Sequence, residues 1–165
     1  RPGHRVTGDP RDSVEGAGWE YAHVVIDDCS RFTYVEILPD EKRYTATAFW
    51  LRAVREFRRR GIHGERVLTD NGGAYRSRPF RKACRWLGIT PKRTRPYRPQ
   101  TNGKAERMIQ TLLRKWAYVR PYANSEHRRA ALTSWLRFYN EEKPHASLNR
   151  QTPLSRLAQF AEQRS

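Results

Sequence analysis

Between Thr45 and Arg60, apolar residues fall at Ala46, Phe49, Trp50, Ala53, Val54 and Phe57, the i, i+3, i+4, i+7 spacing of one helical face, and Gly61 follows as a stop. A helix with a single apolar stripe has to bury it, and the sequence on either side offers strands to receive it. Upstream, Tyr21 to Ile26 is dense in β-branched and aromatic residues, Asp27-Asp28-Cys29-Ser30 reads as a turn, and Phe32 to Leu38 alternates with the period of a half-buried strand. Together these predict a hairpin. Downstream, Arg66 to Thr69 predicts a short strand that delivers Asp70 to its C-terminal end, before the turn residues Asn71, Gly72 and Gly73. A second helix over about Arg78 to Leu87 sets Phe80, Ala83, Cys84 and Leu87 on one face and stops at Gly88, and Ile89 to Thr94 predicts another short strand. The order strand, strand, helix, strand, helix, strand is that of an α/β domain with a mixed sheet.

From Arg95 to Gly103 the density of Pro and Gly predicts a loop leading into a long helix. The core face of that helix is expected to carry Ala105, Met108, Ile109, Leu112 and Trp116. Glu106 falls on an adjoining stripe nearer solvent, in the first or second turn. Further helices are expected over about Ser125 to Tyr139 and, with Thr152 as N-cap and Pro153 at the first helical position, over about Pro153 to Gln163. Residues 1–18 are rich in Gly and Pro and read as an irregular arm, 19–125 as the core, and 126–165 as a helical extension of the same domain. A length of 165 residues suits one domain, and 37% hydrophobic residues with five Trp, eight Tyr and six Phe supply a core and exclude general disorder.

Lys and Arg number 33 against 17 Asp and Glu, a net charge of +16, which favours a polyanion partner because cations that neutralise phosphates release condensed counterions. No stretch approaches the roughly 18 consecutive apolar residues of a membrane span, so no membrane partner is expected. Two cysteines, Cys29 and Cys84, make no disulfide framework and fit a reducing, cytoplasmic setting; Cys84 is expected as a small buried hydrophobe. The five His residues show no zinc-ligand spacing. Arg58-Arg59-Arg60 reads as a basic helix end that suits the helix dipole.

A strand-tip Asp70 and a Glu106 near a helix start bring two acids to one edge of the sheet. Two-metal phosphoryl-transfer enzymes need that arrangement, because Mg²⁺ ions roughly 3.5 to 4 Å apart must be held by a few carboxylates with positions left for substrate oxygens. Both acids would then be metal ligands, not general bases. Taken alone, Asp-Asn-Gly is an ordinary turn, and Glu106 beside Arg107 would be an ordinary surface acid. Their combination is what raises them above those readings.

Leu68-Thr69-Asp70-Asn71-Gly72, the run from Arg95-Pro96-Tyr97-Arg98-Pro99-Gln100 to Lys104-Ala105-Glu106, and the 35 residues between the two acids resemble the DDE superfamily of bacterial insertion-sequence transposases and retroviral integrases. Ile26-Asp27-Asp28 with Ser30-Arg31, Tyr139-Asn140 with Lys143-Pro144-His145, and Thr152-Pro153 are similar to its insertion-sequence branch. The resemblance covers roughly residues 19 to 157. It implies a ribonuclease H-like mixed sheet flanked by helices, Mg²⁺ or Mn²⁺ at a two-metal site held by Asp70 and Glu106, and DNA cleavage and joining by water or a 3′-hydroxyl. Transposon ends and target DNA would be the partners of a homo-oligomer, in a bacterial cytoplasm and on the nucleoid when DNA-bound.

In that family the first catalytic Asp lies on the first strand of the core, before the hairpin, so this chain is expected to lack both that strand and that acid. Asp27 and Asp28 sit in the hairpin turn and Asp9 and Asp12 in the arm, which makes all four poor substitutes. Arg95, Tyr97, Arg98 and Lys104 are the candidate DNA contacts, with phosphates held by the cations and a base stacked on the ring. The alternatives are a truncated DNA-binding fragment without metal chemistry and a ribonuclease H-like nuclease.

Overall fold

The computed structural model describes residues 20–94, 103–120 and 122–162; the expected arm over residues 1–18 and the loop positions Arg95, Tyr97 and Arg98 lie outside them. The hairpin forms as the sequence predicts, with β1 (Tyr21–Ile26) antiparallel to β2 (Thr33–Leu38) and Val24 opposite Val35. Its turn is closed by Asp27, whose Oδ2 accepts hydrogen bonds from the Ser30 backbone N and from Ser30 Oγ, both at 2.7 Å. Arg31 takes a left-handed φ of 64° to complete it.

Helix α1 (Arg43–Arg59) buries Ala46, Phe49, Trp50, Ala53, Val54 and Phe57, the face that the spacing predicts. It packs toward both sides. Phe49 lies against His23 and Tyr34 of the hairpin at ring distances of 5.2 and 5.9 Å, and Trp50 lies 6.0 Å from Phe80. Beyond it, β3 (Arg66–Thr69) runs parallel to β4 (Thr90–Arg93). Their crossover holds a single turn, α2 (Gly73–Arg76), and α3 (Arg78–Leu87), which Ser77 caps through its hydroxyl and Gly88 ends at a φ of 73°. Cys84 is fully buried on α3, and burial pushes its thiol up to about 11.

The second half of the chain is helical. Helix α4 (Gly103–Leu112) passes into a π-helical turn over Leu113–Ala117, and α5 (Ser125–Arg137) into another over Phe138–Glu142. Asn124 and Thr152 cap α5 and α6 (Pro153–Glu162) through side-chain oxygens that accept from His127 N and Ser155 N. Met108, Leu112 and Trp116 of the α4 region form one core with Val35, Leu132 and Tyr139. A separate core joins Trp50 and Val54 of α1 to Val67, Phe80, Ala83, Cys84 and Ile89. The buried Asn140 side chain ties the C-terminal part to the hairpin, because its Oδ1 accepts from Thr33 N and its Nδ2 donates to Thr33 O, each at 2.9 Å.

Among the described residues the strands make two pairs, β1–β2 and β3–β4, with no strand between β1 and β3 to join them. One expectation needs correction. Ile109, expected in the core, is 43% exposed, because it stands beside the opening between those pairs instead of against a sheet face.

Candidate functional site

The opening between the two strand pairs is a cleft of about 390 Å³. Residues 21–25 of β1 and residues 67–70 at the end of β3 line it consecutively. A strand presents alternate residues when it offers a face, so consecutive lining means that backbone edges point into the cleft. Ala46, Phe49 and Trp50 of α1 and Phe80 of α3 line it as well, as do Ala105 and Ile109 of α4. Two strand edges that pair with no further strand among the described residues, together with an apolar lining from three helices, have the chemistry of a seat for one further strand.

Asp70 stands at the end of this cleft, directly after β3, and is exposed. Its Oδ1 accepts from Gly72 N at 2.8 Å, which orients the carboxylate. A Cβ at Gly72 would lie 2.8 Å from Asp70 Oδ1, so any other residue there would displace this carboxylate. Asn71 Nδ2 donates to Thr94 O at 3.1 Å and so ties the turn to the end of β4. Tyr75, packed edge-on against Phe80 at 5.2 Å, has its phenol raised by burial and then by the charges of Asp70 and Glu41. Glu41 also lines the cleft. The sequence reads Gly72 only as a turn former after the acid, and it gives no signal for Tyr75 or Glu41.

Glu106 lies in the first turn of α4 and is exposed, directly after Ala105, which lines the cleft. The structure therefore brings the β3 tip and the start of α4 to one opening. The described His, Cys, Asp and Glu residues form no group of three able to hold a metal ion. Asp70 and Glu106 are hard oxygen donors that suit Mg²⁺ or Mn²⁺, but as a pair they leave the ligand set short.

Lys104 pairs with the Asp28 carboxylate, and Arg31 Nη1 approaches the same carboxylate at 3.5 Å. Asp28 thus anchors the start of α4 to the hairpin turn, and Asp27 is engaged within the turn, so both have structural partners. The Asp28–Lys104 pair is solvent-exposed and therefore weak. Arg58 Nη2 donates to Leu87 O at 2.8 Å, and Arg59 and Arg60 pair with Glu56, which gives that basic run local partners. His145 packs edge-on against Tyr139 at 4.6 Å, and burial holds its pKa below the usual imidazole value.

A ribonuclease H-like core with two acids beside a cleft between two strand pairs is the class that fold and site define. The integrase core domain family matches residues 1–99, and a second family of the same description matches residues 87–153. The chain belongs to the integrase core domain family. It is 35% identical over 94 residues to the transposase InsD for insertion element IS2D of Escherichia coli (strain K12), an alignment covering 57% of this chain and 31% of that protein. The transposase InsD for insertion element IS2A/D/F/H/I/K of Escherichia coli gives the same figures, so the chain spans about a third of the length of these relatives. Among solved structures, the simian T-cell lymphotropic virus intasome in complex with PP2A regulatory subunit B56 gamma superposes with a TM-score of 0.71 at 26% identity, over 85% of this chain and 49% of that one. The catalytic core domain of BIV integrase shares the fold at a TM-score of 0.68 and 20% identity, over 90% and 93% of the two chains.

Proposed function

We propose that the chain is the strand-cleaving and strand-joining core of a bacterial insertion-element transposase, acting on transposon ends and target DNA as part of a homo-oligomer in the cytoplasm. The observation that carries this reading is the cleft that has Asp70 at the end of one strand edge and Ala105, beside Glu106, on its wall. Asp70 and Glu106 would hold Mg²⁺ or Mn²⁺. When bound, the metal supplies a Lewis acid for phosphodiester oxygens and lowers the pKa of an attacking water or hydroxyl. A strand seated between β1 and β3 would bring the third carboxylate and complete the two-metal set. Arg95, Arg98 and Lys104 would hold phosphates while Tyr97 stacks on a base.

The test is strand transfer on the element's own ends by the transposase polypeptide that carries this chain. Asp70→Asn and Glu106→Gln should each lower the yield by about a hundredfold or more, as expected when a group that acts mainly in the transition state is removed, with DNA affinity kept within a few-fold. Yields within a few-fold of the parent would contradict the metal-ligand assignment. A second reading, a DNA-holding fragment without metal chemistry, is favoured by the lack of a three-acid group among the described residues. Its signature is strong DNA binding with background nicking that neither substitution changes. Cleavage confined to RNA in a hybrid would point instead to a ribonuclease H-like nuclease.

A further inference from the structure

The 35 residues between Asp70 and Glu106 contain ten Lys and Arg and no Asp or Glu. Helix α3 lies inside this interval. At 100° per residue, buried Phe80, Ala83 and Cys84 mark its inner side, and Arg78, Arg81, Lys82 and Arg85 fall opposite them in one stripe. Trp86 borders that stripe and is 78% exposed.

Such a stripe destabilises its own helix. Arg78–Arg81 and Lys82–Arg85 are like-charge pairs at i, i+3, and Arg78–Lys82 and Arg81–Arg85 are like-charge pairs at i, i+4. Arg78 also occupies the first turn, where the helix dipole disfavours a cation, and no acid sits in that turn to offset it. None of the four makes an ion pair with another described residue. Helix α1, which packs on α3, shows the ordinary solution: Glu56 pairs with Arg59 and Arg60, and Arg52 with Glu36. A merely solvated face would intersperse acids in the same way. No described acid relieves the repulsion on the α3 face, and a row of cations beside an open indole matches a phosphate backbone with an unpaired base. A protein partner docking on Trp86 would have to bury these cations as well.

We propose that the outer face of α3 is a second DNA-binding surface, in which Arg81, Lys82 and Arg85 hold phosphates and Trp86 stacks on a base of a single-stranded flank. This rests on the DNA-handling part of the proposed function and needs no metal. The test is anisotropy of the full chain in EDTA with two labelled probes, a blunt duplex and the same duplex carrying a single-stranded flank. The combined Arg81→Ala, Lys82→Ala, Arg85→Ala variant should flatten the salt dependence on duplex by roughly 0.9 in slope for each phosphate it no longer neutralises. Trp86→Ala should weaken binding of the flanked probe on the order of tenfold, leave the blunt duplex within twofold, and be largely rescued by Trp86→Phe. An unchanged slope, or an equal response of both probes to Trp86→Ala, would overturn the proposal. So would a change in oligomeric mass with DNA affinity intact, which would mark a protein-docking face. Unaltered DNA binding by the α3 variants, with Asp70→Asn still blocking strand transfer, would sink only this surface. A parent chain without salt-dependent DNA binding would sink the broader reading too.

Discussion

The two sides of the cleft are built on different principles. On one side, the β1–β2 hairpin is held by long-range ties: Asn140 reaches Thr33, Glu20 pairs with Arg128 and Arg129, and Lys104 pairs with Asp28. On the other, β3, β4 and α3 form a local crossover whose core is aromatic and apolar, centred on Phe80, Cys84 and Val67. Helix α1 packs into both, with Phe49 against the hairpin and Trp50 against Phe80. The hairpin side adds chain-spanning polar ties to its packing on Met108, Leu112 and Trp116, whereas the acid-bearing side rests mainly on local packing. Among the described residues, no strand joins the edges they turn toward each other.

That contrast can be broken one side at a time. Phe80→Ala removes the centre of the acid-bearing side, at a cost of about 3 to 5 kcal/mol, and hydrogen exchange should show β3 and β4 losing protection before β1 and β2. Simultaneous loss in all four strands would mean that the two sides form one cooperative unit. Asn140→Ala strips two partners from Thr33 and should cost about 1 to 3 kcal/mol, with the exchange pattern reversed: the hairpin opens first. Denaturant unfolding with unchanged stability would show that water replaces the amide at no cost. Gly72→Ala acts on a single carboxylate. The added methyl forces Asp70 Oδ1 to move, so divalent-metal affinity should fall several-fold while global stability changes little. Titration of Mn²⁺ against this variant checks it, and an unchanged affinity would remove Asp70 from the ligand set.

Much of this architecture is legible in the sequence because it is encoded locally. The face of α1, the hairpin strands and the placement of Asp70 after β3 all follow from periods and turn residues within a few positions of one another. The cleft was legible only through the family resemblance, which implied an absent strand; periodicity alone put Ile109 in the core, since a helix facing an open seat and one facing a sheet carry the same apolar stripe. Ties spanning the chain left no local trace. Lys104 read as a free phosphate ligand, yet it meets Asp28, 76 residues earlier, and Asn140 meets Thr33 across 107. Gly72 read as a turn former, while its tight approach to Asp70 becomes visible only once the turn is built. The structure also shows π-helical turns after α4 and α5 for which residue spacing offers no account.

In the proposed site, Asp70 and Glu106, approached from opposite sides of the cleft, share a divalent ion. Paramagnetic line broadening by Mn²⁺ in the amide spectrum of this chain tests it most directly. The account predicts broadening confined to residues 70–73 and 104–107 at low Mn²⁺, competed by Mg²⁺ and abolished in both Asp70→Asn and Glu106→Gln. Broadening centred elsewhere, or persisting unchanged in either variant, would contradict it.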